Sequence, residues 1–231
     1  MSLIIPHLQP DATPADILRV GIKTAGGAVS LACSFSLEDV AIIDIAHKNG
    51  FTLGLFALDT GRLNEETYEV ADALTERYRI RIDWFFPRHD AVELLEREQG
   101  LFSFRESLEK RHDCCRIRKV EPLSRALQGL SGWVTGMRRE QSVTRGRLAP
   151  LESDTLNNGI LKINPLLELT EEQLLAYAEA ERLPTNRLYR QGYRSIGCAP
   201  CTRPVATGED PRAGRWWWEN PEQKECGLHR R

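Results

Sequence analysis

Residues 29–47 read Val-Ser-Leu-Ala-Cys-Ser-Phe-Ser-Leu-Glu-Asp-Val-Ala-Ile-Ile-Asp-Ile-Ala-His. The short apolar run at 29–33 predicts a buried strand, and the apolar-rich segment 40–47 predicts a helix. A polar turn at 34–39 joins the two. The segment therefore predicts a strand-loop-helix unit.

The same order of strand and helix recurs further along the chain. A second apolar run, 51–58, ends at Asp59, and residues 65–77 show the apolar spacing of a helix. Residues 80–86 and 132–135 are further strand candidates. Strands that alternate with helices predict an α/β fold, in which helices cover both faces of a mainly parallel sheet. We expect the ligand site at the C-terminal ends of the strands.

The chain changes in character after Cys201. Before that point, Thr170 and Gln173 form a capping-box pattern that predicts the start of another helix. Beyond it, prolines and glycines interrupt any long element. We therefore predict an α/β domain over residues 1–201 and an extended C-terminal tail over residues 202–231.

Composition and charge exclude several classes of function. The 231 residues include 31 Lys and Arg against 33 Asp and Glu, a formal net charge of -2. Such a balance gives no overall positive field for a polyanion, so nucleic acid is not expected as the main partner. The sequence shows neither a signal-peptide pattern nor the ~18 consecutive apolar residues of a membrane helix. These features predict a cytoplasmic protein that does not enter a membrane.

Four of the six cysteines form two closely spaced pairs, Cys114-Cys115 and Cys198-X-X-Cys201. Four thiolates suit either a tetrahedral zinc ion or a four-iron four-sulfur cluster. Side chains of adjacent residues diverge and converge on one small ion with difficulty, so the pattern favours the cluster. Zinc, a vicinal disulfide and mixed ligation with Cys33 remain open.

Cys226 stands apart from these pairs, near the end of the chain. A thiolate is a strong nucleophile, and the neighbouring Lys224 and His229 would lower the pKa of this thiol. Gly227 would give the thiol freedom to react with the thiol of a second protein. The alternative is an incidental terminal cysteine among solvated charges.

Polar and basic side chains supply candidates for binding an anion. Ser34, Ser36 and the first N–H groups of the predicted helix would form an anion site, because a helix N-terminus concentrates unpaired donors. A helix cap without a ligand explains the same residues, and the loop lacks the glycines that usually wrap a diphosphate. The planar guanidinium of arginine suits sulfate and phosphate oxygens, although a solvated surface charge is the alternative in each case. The basic candidates are Arg62, Lys119, Arg138, Arg139, Arg212 and Arg215.

These segments together resemble the assimilatory adenylyl-sulfate reductases, the iron-sulfur branch of the phosphoadenylyl-sulfate reductase family. The resemblance covers most of the chain, and the combination of the cysteine motifs is its most specific part. The matching segments are 34–39 (SFSLED), 58–63 (LDTGRL), 114–119 (CCRIRK), 135–142 (TGMRREQS), 197–202 (GCAPCT) and 225–229 (ECGLH).

The resemblance implies a fold related to the pyrophosphate-loop ATPases, also described as adenine nucleotide alpha hydrolase-like. It implies thioredoxin-dependent reduction of adenosine 5'-phosphosulfate to sulfite and AMP through an S-sulfo-cysteine, in sulfate assimilation and cysteine biosynthesis. Its catalytic residues would be Cys226, Lys119 and His229, and the ligands of a 4Fe-4S cluster would be Cys114, Cys115, Cys198 and Cys201. The implied substrate-binding residues are Ser34, Phe35, Ser36, Asp59, Arg62, Arg138, Arg139, Arg212 and Arg215.

Three other functions fit parts of the pattern. A phosphoadenylyl-sulfate reductase would share most of the motifs. An iron-sulfur tRNA-thiolating enzyme would combine a pyrophosphate loop with cysteine-bound iron, but the loop without glycine and the acidic net charge argue against it. A zinc-stabilised binding module would carry no catalysis. The sequence leaves open whether the protein forms a homo-oligomer.

Overall fold

The predicted sheet is present and is mainly parallel. This computed structural model describes residues 4–141 and 148–220, in which six strands pair in the order β3-β2-β1-β4-β6-β5. Strand β1 pairs in parallel with β2 and β4, β4 pairs in parallel with β6, and β5 alone among these pairings runs antiparallel, against β6. The strands are β1 (Val29–Cys33), β2 (Gly54–Leu58), β3 (Asp83–Phe85), β4 (Gly132–Val134), β5 (Leu151–Asp154) and β6 (Ile160–Ile163).

Seven α-helices occur in the described ranges. They are α1 (Pro14–Ala25), α2 (Leu37–Lys48), α3 (Glu65–Tyr78), α4 (His89–Gln99), α5 (Leu108–Cys115), α6 (Glu121–Ala126) and α7 (Glu171–Ala180). The capping box predicted before α7 is confirmed, because the Thr170 hydroxyl accepts a hydrogen bond from Gln173 N while Gln173 caps Thr170 N. Helix α1 was not predicted, although it also begins with a capping box, formed by Thr13 and Asp16.

Local sequence explains the central strand-loop-helix unit. Strand β1 has the predicted bounds, and Val29, Leu31 and Cys33 are its buried positions. Helix α2 begins three residues earlier than predicted, because Ser36 has extended dihedral angles and its carbonyl accepts the first helical bond from Val40 N. The apolar positions of α2 are buried, except for the partly exposed Ile45. Each large aliphatic side chain removed from water in this way contributes about 1.5–3 kcal/mol.

The described chain divides into two compact units. The first comprises residues up to Ala57, Glu69–Asp83 and Gly129–Asn186, and it contains most of the sheet with α1, α2 and α7. The second comprises Leu58–Tyr68, Trp84–Gln128 and the residues from Arg187 onward, and it contains α4, α5 and α6. Among the described residues, no helix has both the length and the apolar character that crossing a bilayer requires.

The first part of the predicted tail, 202–220, folds back within the second unit. Thr202 and Arg215 form an antiparallel bridge, and Trp216 N donates to the carbonyl of Cys201 at 3.1 Å. Trp216 is only 1% exposed, so its burial secures this segment. The predicted domain boundary at residue 201 stays a prediction.

Candidate active site and metal centre

The adjacent cysteines Cys114 and Cys115 end helix α5 in the second unit. Ser107 caps the start of the helix, since its hydroxyl accepts a hydrogen bond from Lys110 N at 3.1 Å. After Cys115 the chain continues as a π-helix, Arg116–Val120. Such wider turns are rare and occur frequently at functional sites. Lys119, predicted to be catalytic, lies on this π-helix.

The second cysteine pair brackets a single 3-10 turn, Ala199–Cys201, with Cys198 immediately before the turn and Cys201 at its end. Cys201 N donates to the carbonyl of Cys198 at 2.9 Å, and Ala199 N donates to the carbonyl of Arg62 at 2.8 Å. The hydroxyl of Thr60 lies 3.3 Å from Cys198 Sγ. The segment that follows β2, which we predicted to line the nucleotide site, therefore contacts the turn that carries Cys198 and Cys201.

Gly197 precedes this turn at a position where a side chain does not fit. A Cβ atom at Gly197 would lie 2.3 Å from Arg215 Nη2, far inside van der Waals contact. Arg215 in turn donates to the hydroxyl of Ser195 at 3.3 Å and stacks on the ring of Trp216, with Cζ 4.8 Å from the ring centroid. The glycine allows the guanidinium to lie close to the backbone beside the cysteine turn.

One cavity of the second unit brings the four predicted ligands together. Cys114, Cys115, Cys198 and Cys201 are all buried, and no disulfide joins these described cysteines. The cavity also has a basic and aromatic lining, consisting of Arg62, Phe104, Arg111, Arg118, Lys119 and Trp216. Cys33 is also a buried free thiol, but it lies in the first unit.

The thiols of this cavity differ in their ease of ionisation. Burial opposes ionisation of Cys198, but the charge of Lys119, the hydrogen bond with Thr60 and nearby arginines outweigh it and lower the pKa of this thiol. Burial raises the pKa of Cys201 to about 12, and it also raises the pKa of Cys114. Cys198 is therefore the thiol that gives up its proton most readily among these three.

The donor set of the cavity fits an iron-sulfur cluster. Four soft thiols supply the required number of ligands. Within the described ranges, three buried N–H groups on lining side chains lack a hydrogen-bond partner, namely Arg62 Nη1, Arg118 Nε and Trp216 Nε1. Cluster and cysteine sulfurs would accept hydrogen bonds from such donors. No three His, Cys, Asp or Glu side chains of the described chain are arranged around a position for a single metal ion.

A buried ion pair holds the end of the described chain beside this cavity. Arg111 is fully buried and donates two hydrogen bonds to Glu219, at 2.9 and 2.8 Å. Its Cζ also lies 4.7 Å from the centroid of Trp216, so it combines an ion pair with a cation–π contact. Sequence reasoning missed Thr60, Arg111, Arg118 and Glu219. Thr60 and Arg118 did give a signal, because they lie within the matching segments 58–63 and 114–119, whereas Arg111 and Glu219 lie outside every matching segment.

The predicted anion loop, Ser34–Phe35–Ser36, lies in the first unit. Phe35 is buried and has a positive φ of 63°. Beneath the loop, the carboxylate of Asp39 accepts hydrogen bonds from Ser34 N at 2.6 Å and from the Ser34 hydroxyl at 2.7 Å. Burial raises the pKa of Asp39 to about 6, although hydrogen bonds from Ser34 and Ser36 oppose the shift. The serine hydroxyls therefore have an acceptor within the chain.

We expect Asp39 to make stability depend on pH. Its folded pKa lies above the ordinary value of 3.8, so its contribution is complete below about pH 4 and is lost as the pH rises through 6. Asp39→Asn removes the titration. The free energy of unfolding of the wild type, minus that of the variant, should fall by up to about 3 kcal/mol between pH 4 and 7. Denaturant titrations across this range measure it, and a difference that does not change with pH would contradict the prediction.

Two predicted nucleotide-binding residues of the first unit are engaged in ion pairs. The buried Arg138 donates from Nε to Glu38 Oε1 at 3.0 Å, and Gln141 donates to the same oxygen at 2.8 Å. Arg139 pairs with Glu168. Arg138 therefore joins the segment after β4 to helix α2. A role of either arginine in binding substrate stays a prediction.

The remaining predicted site residues of the second unit have local partners or lie outside the described residues. Asp59 accepts hydrogen bonds from Gly61 N at 2.7 Å and from the Tyr68 hydroxyl at 2.8 Å. The backbone N–H of Arg212 donates to the carboxylate of Asp210 at 2.7 Å. The predicted nucleophile Cys226 and the predicted catalytic His229 lie outside the described residues.

The fold and the cavity define a class of protein, an α/β domain with a mainly parallel sheet and a cysteine-rich centre. The phosphoadenosine phosphosulfate reductase domain matches residues 28–204. The chain therefore belongs to the phosphoadenosine phosphosulfate reductase family, which confirms the family that the motifs indicate.

Individual relatives agree with this assignment. The chain is similar to the adenosine 5'-phosphosulfate reductase of Burkholderia cepacia, with 47% identity over 98% of this chain and 90% of the relative. Among solved structures it is similar to the phosphoadenylyl-sulfate reductase of Candida auris in a phosphate complex, with a TM-score of 0.71, 26% identity and coverage of 84% of this chain and 91% of the other.

A more distant structure supports the fold alone. The FMN adenylyltransferase of Candida glabrata has a TM-score of 0.59 at 14% identity, with 95% of this chain and 80% of that chain covered. Together with the phosphoadenylyl-sulfate reductase structure, this similarity bears out the predicted α/β fold with a mainly parallel sheet.

Proposed function

We propose that this chain is a thioredoxin-dependent adenylyl-sulfate reductase, which converts adenosine 5'-phosphosulfate to sulfite and AMP. The observation that carries the proposal is the cavity in which four buried thiols meet Lys119 and Arg118. The 47% identity with an adenosine 5'-phosphosulfate reductase over nearly the whole chain supports the same activity. The reaction would serve sulfate assimilation and cysteine biosynthesis in the cytoplasm.

The chemistry proceeds in three displacements at sulfur. The thiolate of Cys226 attacks the sulfur of the phosphosulfate, the bond from sulfur to the phosphate oxygen breaks, and AMP leaves. The product on the enzyme is an S-sulfo-cysteine. A thiolate of thioredoxin then attacks Cys226 Sγ, which expels sulfite and forms a mixed disulfide. The second thiol of thioredoxin resolves this disulfide and restores the Cys226 thiol.

The basic residues of the second unit would handle the charge of the substrate. Lys119 lies 5.9 Å from the centroid of Trp216, and its charge already lowers the pKa of Cys198. Lys119, Arg212 and Arg215 would hold the sulfate or phosphate oxygens, on which negative charge builds as the leaving group departs. His229 would favour the thiolate of Cys226.

Cys114, Cys115, Cys198 and Cys201 would hold a 4Fe-4S cluster. When bound, such a cluster would supply positively charged iron centres that can polarise a sulfate group, and the four cysteines that hold it would fix the local fold. The N–H groups of Arg62, Arg118 and Trp216 that lack partners among the described residues would donate to its sulfurs.

An assay of the purified chain tests the activity. With adenosine 5'-phosphosulfate and reduced thioredoxin we expect equal amounts of sulfite and AMP, and no sulfite without thioredoxin. Iron and labile sulfide should each approach four per chain. A colourless protein with one zinc per chain and no sulfite would favour the binding module, and ATP-dependent thiolation of tRNA would favour the tRNA-modifying class.

We expect the substrate without a 3'-phosphate to be strongly preferred. A 3'-phosphate adds close to two negative charges, and burying them without dedicated partners costs several kcal/mol. Arg62 is one candidate partner, but Glu96 already binds its guanidinium at 2.5 Å. We therefore predict that kcat/KM for adenosine 5'-phosphosulfate exceeds kcat/KM for its 3'-phosphorylated relative by at least about 100-fold, which corresponds to about 3 kcal/mol. Measurements on both nucleotides with one thioredoxin provide the ratio, and a ratio of one or less would assign the chain to the phosphoadenylyl-sulfate reductases.

A further inference from the structure

Glu96, on helix α4, links two arginines that line the cysteine cavity. Its Oε1 atom accepts from Arg62 Nη2 at 2.5 Å and from Arg118 Nη2 at 2.6 Å. The three side chains are largely buried, with exposed fractions of 17% for Glu96, 16% for Arg62 and 7% for Arg118. Charge-assisted hydrogen bonds strengthen as water is excluded. One carboxylate oxygen thus fixes two guanidinium groups.

Further contacts with backbone carbonyls and an aromatic ring restrict the orientation of each arginine. Arg62 Nη2 also donates to the carbonyl of Leu101 at 2.8 Å, and its Cζ lies 5.0 Å from the ring centroid of Phe104. Arg118 Nη1 donates to the carbonyl of Thr60 at 2.8 Å. In the described part of the chain, Arg62 Nη1, Arg118 Nε and Glu96 Oε2 are buried without a hydrogen-bond partner. The network therefore places two N–H donors without partners at the cysteine cavity, and Glu96 fixes the arginines that carry them.

The charges around the cavity are unequal. Four cations line it, Arg62, Arg111, Arg118 and Lys119, and the carboxylates Glu96 and Glu219 are bonded to three of them. Four thiolates and a 4Fe-4S core in its 2+ state together carry a net charge of -2, and reduction by one electron adds another negative charge. Because the potential of such a cluster depends on nearby charge, each positive group favours the reduced form and each carboxylate opposes it.

We propose that Glu96 is a positioning residue for the cysteine centre, which orients Arg62 and Arg118 and holds the cluster in its oxidised state by limiting the positive charge around it. The proposal rests on the cluster of the proposed function. The carboxylate acts through the two arginines and through its own field, without being a ligand. Its loss would remove one negative charge while leaving four cations along the lining.

Glu96→Gln tests the proposal, because glutamine keeps the size and one acceptor oxygen but removes the charge. We expect the variant to retain its iron and to be reduced at a more positive potential than the wild type. In anaerobic titrations with one strong reductant, the electron paramagnetic resonance signal of the reduced cluster should be larger in the variant. Glu121→Gln is the matched control, since Glu121 also binds two arginines, Arg88 and Arg125, but neither of these arginines lines the cavity.

Glu96→Asp separates charge from packing. It keeps the carboxylate with a shorter reach, so its reduced fraction should stay near that of the wild type. Equal reduction of the wild type and Glu96→Gln would overturn the proposal, as would an equal increase in Glu121→Gln. Loss of iron from both Glu96 variants would also overturn the proposal, because it would show that Glu96 is needed to retain the cluster and not to set its potential. A wild type without iron would instead overturn the proposed cofactor itself.

Discussion

Cys226→Ser should abolish sulfite formation and leave the iron content unchanged. A serine hydroxyl is almost fully protonated at neutral pH and is a far poorer nucleophile than a thiolate. Removing the nucleophile of an enzyme that works through a covalent intermediate typically costs about 10⁴- to 10⁶-fold in kcat. Cys226 is separate in sequence from both ligand pairs, so iron should remain bound. Sulfite release and iron analysis on the same preparation measure both expectations.

Mass spectrometry locates the covalent intermediate directly. The wild type, incubated with adenosine 5'-phosphosulfate and no reductant, should gain one sulfo group, on the peptide that contains Cys226. Cys33→Ala is the matched control, because Cys33 is a buried thiol of strand β1 and should retain both adduct and activity. A sulfo group on any other cysteine would refute the assignment of the nucleophile.

Cys114→Ser and Cys201→Ser should each lose most of the iron and lower the Tm. A hydroxyl is a poor ligand for iron-sulfur clusters, and loss of one ligand disturbs both the charge and the surrounding structure. Both thiols line the cavity, and the backbone of Cys201 also accepts the hydrogen bond from Trp216 N. Loss of the cluster would therefore loosen the segment that Trp216 secures. Binding energy of a metal centre is folding energy, so several °C of Tm should be lost.

Metal analysis and thermal melts of the two variants beside the wild type decide the matter. Cys33→Ala again serves as the control and should keep its iron. Unchanged iron content in both ligand variants would remove Cys114 and Cys201 from the ligand set. Zinc instead of iron in the wild type would assign the cavity to a structural zinc site.

Much of the fold follows from local pattern. The apolar run 29–33 became strand β1 with the same bounds, and the pattern at 65–77 became helix α3, Glu65–Tyr78. Apolar periodicity reports burial of one face, and burial is what selects the element. Helix α5 was missed, because it is polar apart from Leu108 and its terminal cysteines and so lacks an apolar stripe.

The sequence was sufficient to predict the cysteines of the site, but only some of the residues that surround them. Soft thiols at short spacings indicate metal binding wherever they occur, so the four cysteines could be named from sequence. Arg62 was placed with the nucleotide because it follows a predicted strand end, and this role stays a prediction. Its bond with Glu96, 34 residues away, was not foreseen. Neither residue type nor spacing indicates such a partner, because solvated and paired arginines look the same in sequence.

The sequence by itself determined the alternation of strands and helices, the two cysteine pairs and the isolated Cys226, because these depend on neighbouring residues. Only the tertiary structure decided which charges meet, since Arg111 and Glu219 are 108 residues apart and still form a buried pair. Burial makes such pairing obligatory, because an ion removed from water without a partner costs several kcal/mol. The chain therefore specifies its elements locally, while the charges around the cysteine cavity are set by contacts that form only when distant segments pack.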